Sequence, residues 1–90
     1  MREEDYRAIE ALLRGRGLNV SESRYYPDSF GSWYIYVDAA TKLGLVWDGR
    51  EGRLSVRRQV GDRWEDLWTG GQAQEQGPEK AVDTLFEFVR

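Results

Sequence analysis

Apolar residues recur at two different spacings along this chain, and the change from one to the other lays out its elements. Tyr6, Ile9, Leu12 and Leu13 follow helical spacing, which predicts a helix over residues 3 to 15. Glu3, Glu4 and Asp5 stand in its first turn, where the helix dipole favours anions, and Gly15 or Gly17 can end it in a left-handed C′ position.

Beyond Gly17 the period falls to two. Leu18 to Tyr26 opens with Leu18 and Val20 and then turns polar, as an edge strand does. Pro27-Asp28-Ser29 reads as a turn. Residues 32 to 38 alternate, with Trp33, Ile35 and Val37 on one face and Tyr34, Tyr36 and Asp38 on the other. Leu43, Leu45 and Trp47 group on a strand starting at Lys42. Leu54, Val56 and Val60 group on one starting at Arg53, with Arg58 on the same side.

Turn chemistry sets the register. Gly61-Asp62 fits a two-residue hairpin loop, which places Val60 opposite Arg63, Arg58 opposite Glu65, Arg57 opposite Asp66 and Val56 opposite Leu67. Both charged pairs are then opposite in sign. A loop over Gly49 to Gly52 sets Trp47 against Leu54 and Leu45 against Val56, whereas a one-residue slip would scramble the apolar faces. Residues 63 to 69 fit a strand, although Trp64, Leu67 and Trp68 also fit one helical turn. Residues 70 to 77 form a polar connection, expected to be mobile. Pro78 suits the first position of a last helix, with Val82, Leu85, Phe86 and Val89 as its stripe and Phe88 to one side.

The expected fold is one α+β domain over residues 1 to 90: an antiparallel meander of four to five strands, flanked in sequence by a helix at each end. Both helices pack on one sheet face. Trp33, Ile35, Val37, Leu43, Leu45, Trp47, Leu54, Val56 and Leu67 would meet the helices. Tyr34, Tyr36, Ser55, Arg57, Gln59, Trp64, Asp66 and Trp68 would then lie on the opposite face.

Composition changes this picture in two respects. Aromatic residues make up 13% of the chain, enough to close a small core and to argue against disorder. Cys and His are both absent, which removes disulfides, thiolate or imidazole metal sites and every Cys-His or Ser-His catalytic arrangement. Lack of disulfide staples, an acidic N-terminus and no long apolar run point to an intact cytoplasmic protein with no membrane association.

The remaining chemistry is thin. Glu65 and Asp66 are adjacent and point to opposite faces of a strand, so they cannot act on one substrate, and each has an Arg partner. Glu3, Glu4, Asp5 and Glu10 match no calcium-loop spacing, and hairpin geometry accounts for Asp48-Gly49-Arg50-Glu51-Gly52. Neither Gly70-Gly71 nor Gly15-x-Gly17 makes a phosphate-binding loop. No enzyme, metal or cofactor is expected.

Binding is the better expectation. Trp, Tyr and Arg dominate interface hot spots, and Tyr34, Tyr36, Arg57, Trp64, Asp66 and Trp68 gather such residues on the face without helices. The plainer alternative is that these aromatics pack across strands and shield the sheet. With a net charge of −3, the chain suits a small acidic protein-binding module. Inhibitors and immunity-type proteins of bacteria and phages block a partner's surface in this way. Two alternatives compete. Arg24-Tyr25-Tyr26 with Arg57, Arg58, Arg63 and Trp64 mixes cations and stacking surfaces as binders of single-stranded nucleic acid do, against the negative charge. A homodimer joined by the aromatic face or the edge strand is the other.

Overall fold

The computed structural model describes residues 1–71 and 77–89. Its elements are α1 (Glu3–Gly15), β1 (Asn19–Tyr26), β2 (Ser32–Asp38), β3 (Lys42–Asp48), β4 (Arg53–Val60), β5 (Arg63–Gly71) and α2 (Gly77–Phe86). The five strands form one antiparallel sheet in the order β1-β2-β3-β4-β5, the meander expected from the sequence.

Helix α1 begins where the Arg2 backbone N–H donates to the Asp5 carboxylate at 2.7 Å, reciprocating the helix start. It ends in a Schellman motif: Gly17 N–H donates to Arg14 O at 3.0 Å and Leu18 N–H to Leu13 O at 3.1 Å. Gly17 takes φ 88°, so this glycine, rather than Gly15, is the C′ residue. The tight stop turns the chain directly into β1.

One sheet face is covered by both helices. Tyr6, Ile9 and Leu13 of α1 and Ala81, Val82 and Leu85 of α2 meet Trp33, Ile35, Val37, Leu43, Leu45, Trp47, Leu54 and Val56, and all are buried. These eight sheet residues are the ones that strand alternation assigns to the core, with Leu67 packed partly against them. Tyr6 also donates from its hydroxyl to Ser23 Oγ at 3.0 Å, and Ser23 donates to Glu10, tying α1 to β1. Arg16 clasps the helices together, bonding Asp83 at 2.9 Å with its guanidinium 5.2 Å from the Phe86 ring centre. Helix α2 stops at Phe86, earlier than its stripe suggests; a turn follows over residues 87 and 88, and Phe88 and Val89 still pack on the core.

The turn-derived register holds for the hairpin over 49 to 52 and for most of the last one. Trp47 pairs with Leu54 and Leu45 with Val56. Val60 pairs with Arg63, Arg58 with Glu65 and Arg57 with Asp66. The two charged pairs are bonded at 2.6 Å and 2.8 Å. Residues 63 to 71 are strand throughout, not helical turn, so Gly70 and Gly71 belong to β5 rather than to the polar connection. At its other end Gly77 already belongs to α2, and residues 72 to 76 lie outside the described residues.

Two expectations need correction. Val56 pairs with Trp68, not Leu67, because a β-bulge inserts one residue after Asp66. The extra residue returns Trp68 to the helix side, where it packs on the core, so Trp68 does not belong to the opposite face. Its indole occupies the space that a side chain at Gly70 would need, since a Cβ there would fall 2.5 Å from the ring. A second bulge lies between Val20 and Glu22 in β1. Both edge strands are therefore irregular, a feature that discourages edge-to-edge pairing with another sheet.

Candidate functional site

The face away from the helices is built by alternate residues of every strand. Through the bulge at Ser21, β1 turns Glu22, Arg24 and Tyr26 onto it, opposite Tyr36, Tyr34 and Ser32. Strand β2 contributes Tyr34 and Tyr36, β3 Gly44 and Val46, β4 Ser55, Arg57 and Gln59, and β5 Trp64, Asp66 and Thr69. Of the six residues expected to bind, Tyr34, Tyr36, Arg57, Trp64 and Asp66 come together here, and Trp68 does not.

The aromatic rings form one continuous row. Arg24 caps it, 5.2 Å from the centre of the Tyr26 ring. Tyr26 lies 6.2 Å from Tyr34, Tyr34 lies 4.4 Å from Tyr36, and Tyr36 stacks on Trp64 at 4.7 Å. Tyr36 and Trp64 belong to strands three spacings apart, a span of about 14 Å, so the rings reach toward each other over the intervening strands. Gly44 makes this possible. A Cβ at Gly44 would come within 3.0 Å of the Tyr36 ring and 3.4 Å of Trp64. Sequence alternation missed Tyr26 and Arg24, because the β1 bulge reverses which residues face outward.

Polar groups on this face are arranged in opposite-sign neighbours. Glu22, Asp38, Asp48 and Asp66 balance Arg24, Lys42, Arg53 and Arg57. Tyr34 donates its hydroxyl to the Glu22 carboxylate, and this bond, with some desolvation, holds the phenol well above the ordinary tyrosine pKa. Burial among its neighbours raises the Tyr36 phenol, with the Glu22 charge adding to it and Arg57 opposing. Ser55 and Thr69 hydroxyls lie 3.4 Å apart beside them.

The cation and aromatic cluster expected of a nucleic-acid binder is split by the sheet. Arg24, Tyr26, Arg57 and Trp64 face outward, whereas Tyr25 turns to the helix side and packs 5.6 Å from Tyr6. Arg58 and Arg63 fall on the helix side too, by the same alternation. Glu65 and Asp66 do point to opposite faces, each bonded to its Arg. In the loop after β3, the Asp48 carboxylate accepts the Arg50 and Glu51 backbone N–H groups at 3.0 Å and 3.2 Å. That carboxylate shapes a turn. Among the described residues, no three Asp or Glu side chains converge as metal ligands would, and no helix is long and apolar enough to cross a membrane. Compared with known proteins, the chain matches no family model, no curated protein and no solved structure.

Proposed function

We propose that this chain is a small, non-enzymatic protein-binding module that occupies a partner's surface with the open face of its sheet, as inhibitors and immunity-type proteins do. The row Tyr26-Tyr34-Tyr36-Trp64 carries this reading. It crosses the full width of the sheet on the one face that neither helix covers.

Three properties favour protein over nucleic acid. Acids and bases balance on this face, so it lacks the positive field that gathers phosphates. The aromatic rings lean on one another, Tyr36 against both Tyr34 and Trp64, which leaves few ring faces open for stacked bases. Rigid amphipathic rings in mutual contact also lose little side-chain entropy when a partner covers them. A second copy of the chain is the other occupant that a charge-balanced face suits, because each acid finds a base on a related molecule.

The test is to recover the partner from cells with the tagged chain and remeasure binding with purified components. Trp64→Ser, shown to be folded, should bind at least tenfold more weakly. Unchanged affinity, or tight binding of a 20-nucleotide oligothymidylate through the same residues, would contradict the proposal.

A further inference from the structure

Strand register sets the charges of the open face in a pattern that a second copy of the chain complements. Glu22, Tyr36, Gly44 and Arg57 stand in one row across β1 to β4. Arg24, Tyr34, Val46 and Ser55 stand in the next outward-facing row. Asp38 pairs with Lys42 beyond the first row, and Asp48 with Arg53 beyond the second. A two-fold axis midway between the rows, in the plane between two facing sheets, lays each row over the other. Glu22 then faces the second copy's Arg24, and Lys42 its Asp48, each pair occurring twice by symmetry. The remaining charges fall opposite neutral side chains: Arg57 opposite Ser55, Asp66 opposite Thr69, Arg53 opposite Gln59 and Asp38 opposite Ser32. An axis running along β3 would instead set Glu22 against Asp66, so the pattern favours the first arrangement.

These groups are placed to reach across. Glu22, Arg24 and Asp48 are exposed and Lys42 is half-buried. Among the described residues no ion pair engages Arg24 or Lys42, whereas Arg57 is held by Asp66. Glu22 and Asp48 bond among the described residues through one carboxylate oxygen each, Oε2 and Oδ1. Between the charged pairs lies an apolar centre. There Tyr36 faces the second copy's Tyr34, and Val46 lies over the stack that covers its Gly44. Protein interfaces commonly have such an apolar centre and a polar rim. Five strands of at least seven residues make a face of roughly 24 by 24 Å at ordinary strand spacings. Covering it on two copies would bury roughly 1,200 Å², the lower end of the range for stable association.

We infer that a second copy of this chain covers the open face until a partner displaces it. This rests on the reading of that face as the protein-binding surface and adds its regulation. The two sheets stack about 10 Å apart with their strands aligned, as in a β-sandwich. Bulges in both edge strands oppose edge-to-edge pairing, which leaves the contact face to face. Self-association keeps the aromatic row from water, and its modest area leaves the dimer exchangeable. Partner and second copy exclude each other, so apparent partner affinity falls as the chain's own concentration rises.

Sedimentation equilibrium of the full chain, from micromolar to millimolar concentration, tests the arrangement with two charge reversals. The native mass should rise to twice that of the chain. Arg24→Glu and Glu22→Arg should each weaken self-association at least tenfold, since like charges then meet twice. An equimolar mixture of the two variants should restore the dimer, because each supplies the charge the other lost. Variants that failed to fold could not do so. A native chain that stays monomeric, reversals without effect, or a mixture that stays monomeric would overturn the inference. So would a partner that binds the native chain without lowering its self-association. A monomeric native chain whose partner binding is lost in Trp64→Ser overturns the dimer and leaves the open face as the partner's site. A dimer that responds to the reversals, with partner binding unchanged in Trp64→Ser, supports the self-contact while refuting the partner site.

Discussion

Tyr36 stacks on Trp64 over Gly44, with ring centres 4.7 Å apart and planes 26° from parallel. Residues from the second and fifth strands thereby join across the open face, and the missing side chain of the third strand lets them do so. The stack covers Gly44, which is buried although it lies on the face without helices. Aromatic pairs of this kind contribute about 0.5–1.5 kcal/mol beyond the area they bury.

Gly44→Ala therefore sets two effects against each other. Alanine would gain about 0.5–1 kcal/mol over glycine within a strand. Its methyl, however, would press on the Tyr36 ring, which Tyr34 and Trp64 hold on both sides. Overpacking at such a site costs about 1–3 kcal/mol, so net destabilisation near 1 kcal/mol is expected. Urea unfolding gives the magnitude, and loss of near-ultraviolet circular dichroism would show that the stack has opened.

Alkaline titration should separate the tyrosines. Of the five, Tyr34 and Tyr36 have raised pKa values, so tyrosinate absorbance should include a late-ionising component. The folded state holds these protons more tightly than the unfolded chain does. Their stabilising contribution is therefore complete below the unfolded value of about 10 and is lost as pH rises through the folded values. Glu22→Gln should move Tyr34 back toward the ordinary range. An unchanged titration curve for that variant would mean that Glu22 does not govern Tyr34.

Much of this arrangement is legible in the sequence. Strict alternation over Ser32–Asp38, together with the glycine turns at 49–52 and 61–62, is enough to assign the core face and to pair Arg57 with Asp66. The failures come from the bulges. An extra residue at Leu67 moves Trp68 to the core, and another at Ser21 turns Tyr26 outward and Tyr25 inward. Period-two reasoning carries parity along a strand, so a single unpaired residue reverses every assignment beyond it. Gly70 and Gly71 were the available signal for the first. Glycine late in a strand, after two Trp residues, marks a place where a large ring needs room. Nothing comparable marks Ser21.

Arg16 links the helices through both an ion pair and a cation–π contact, yet its side chain and that of Asp83 remain substantially exposed at 41% and 58%. Arg16→Ala should cost only about 0.5–1 kcal/mol, measured by urea unfolding. A larger loss, above 2 kcal/mol, would show that this clasp determines how α2 docks.

Two glycines of one loop should respond differently to alanine. At Gly52, φ is 64° and nothing crowds a Cβ, so Gly52→Ala should cost only the left-handed strain of about 1–2 kcal/mol. At Gly49 a Cβ would overlap the Phe30 carbonyl, forcing the two loops apart. Gly49→Ala should be the more destabilising in thermal unfolding, and the reverse order would contradict the interlocked geometry.

The open face as the binding surface is tested most directly by one titration of the purified partner against three proteins. These are the native chain, Trp64→Ser on the open face and Arg7→Ala on the outside of α1. Arg7 is well exposed and, among the described residues, pairs with Glu3 in its own helix, so its loss should leave the fold and the open face unaltered. Isothermal calorimetry should give matching affinities for native and Arg7→Ala proteins, and at least a tenfold loss, about 1.4 kcal/mol, for Trp64→Ser. Equal affinity for all three, or a loss confined to Arg7→Ala, would place the binding surface elsewhere.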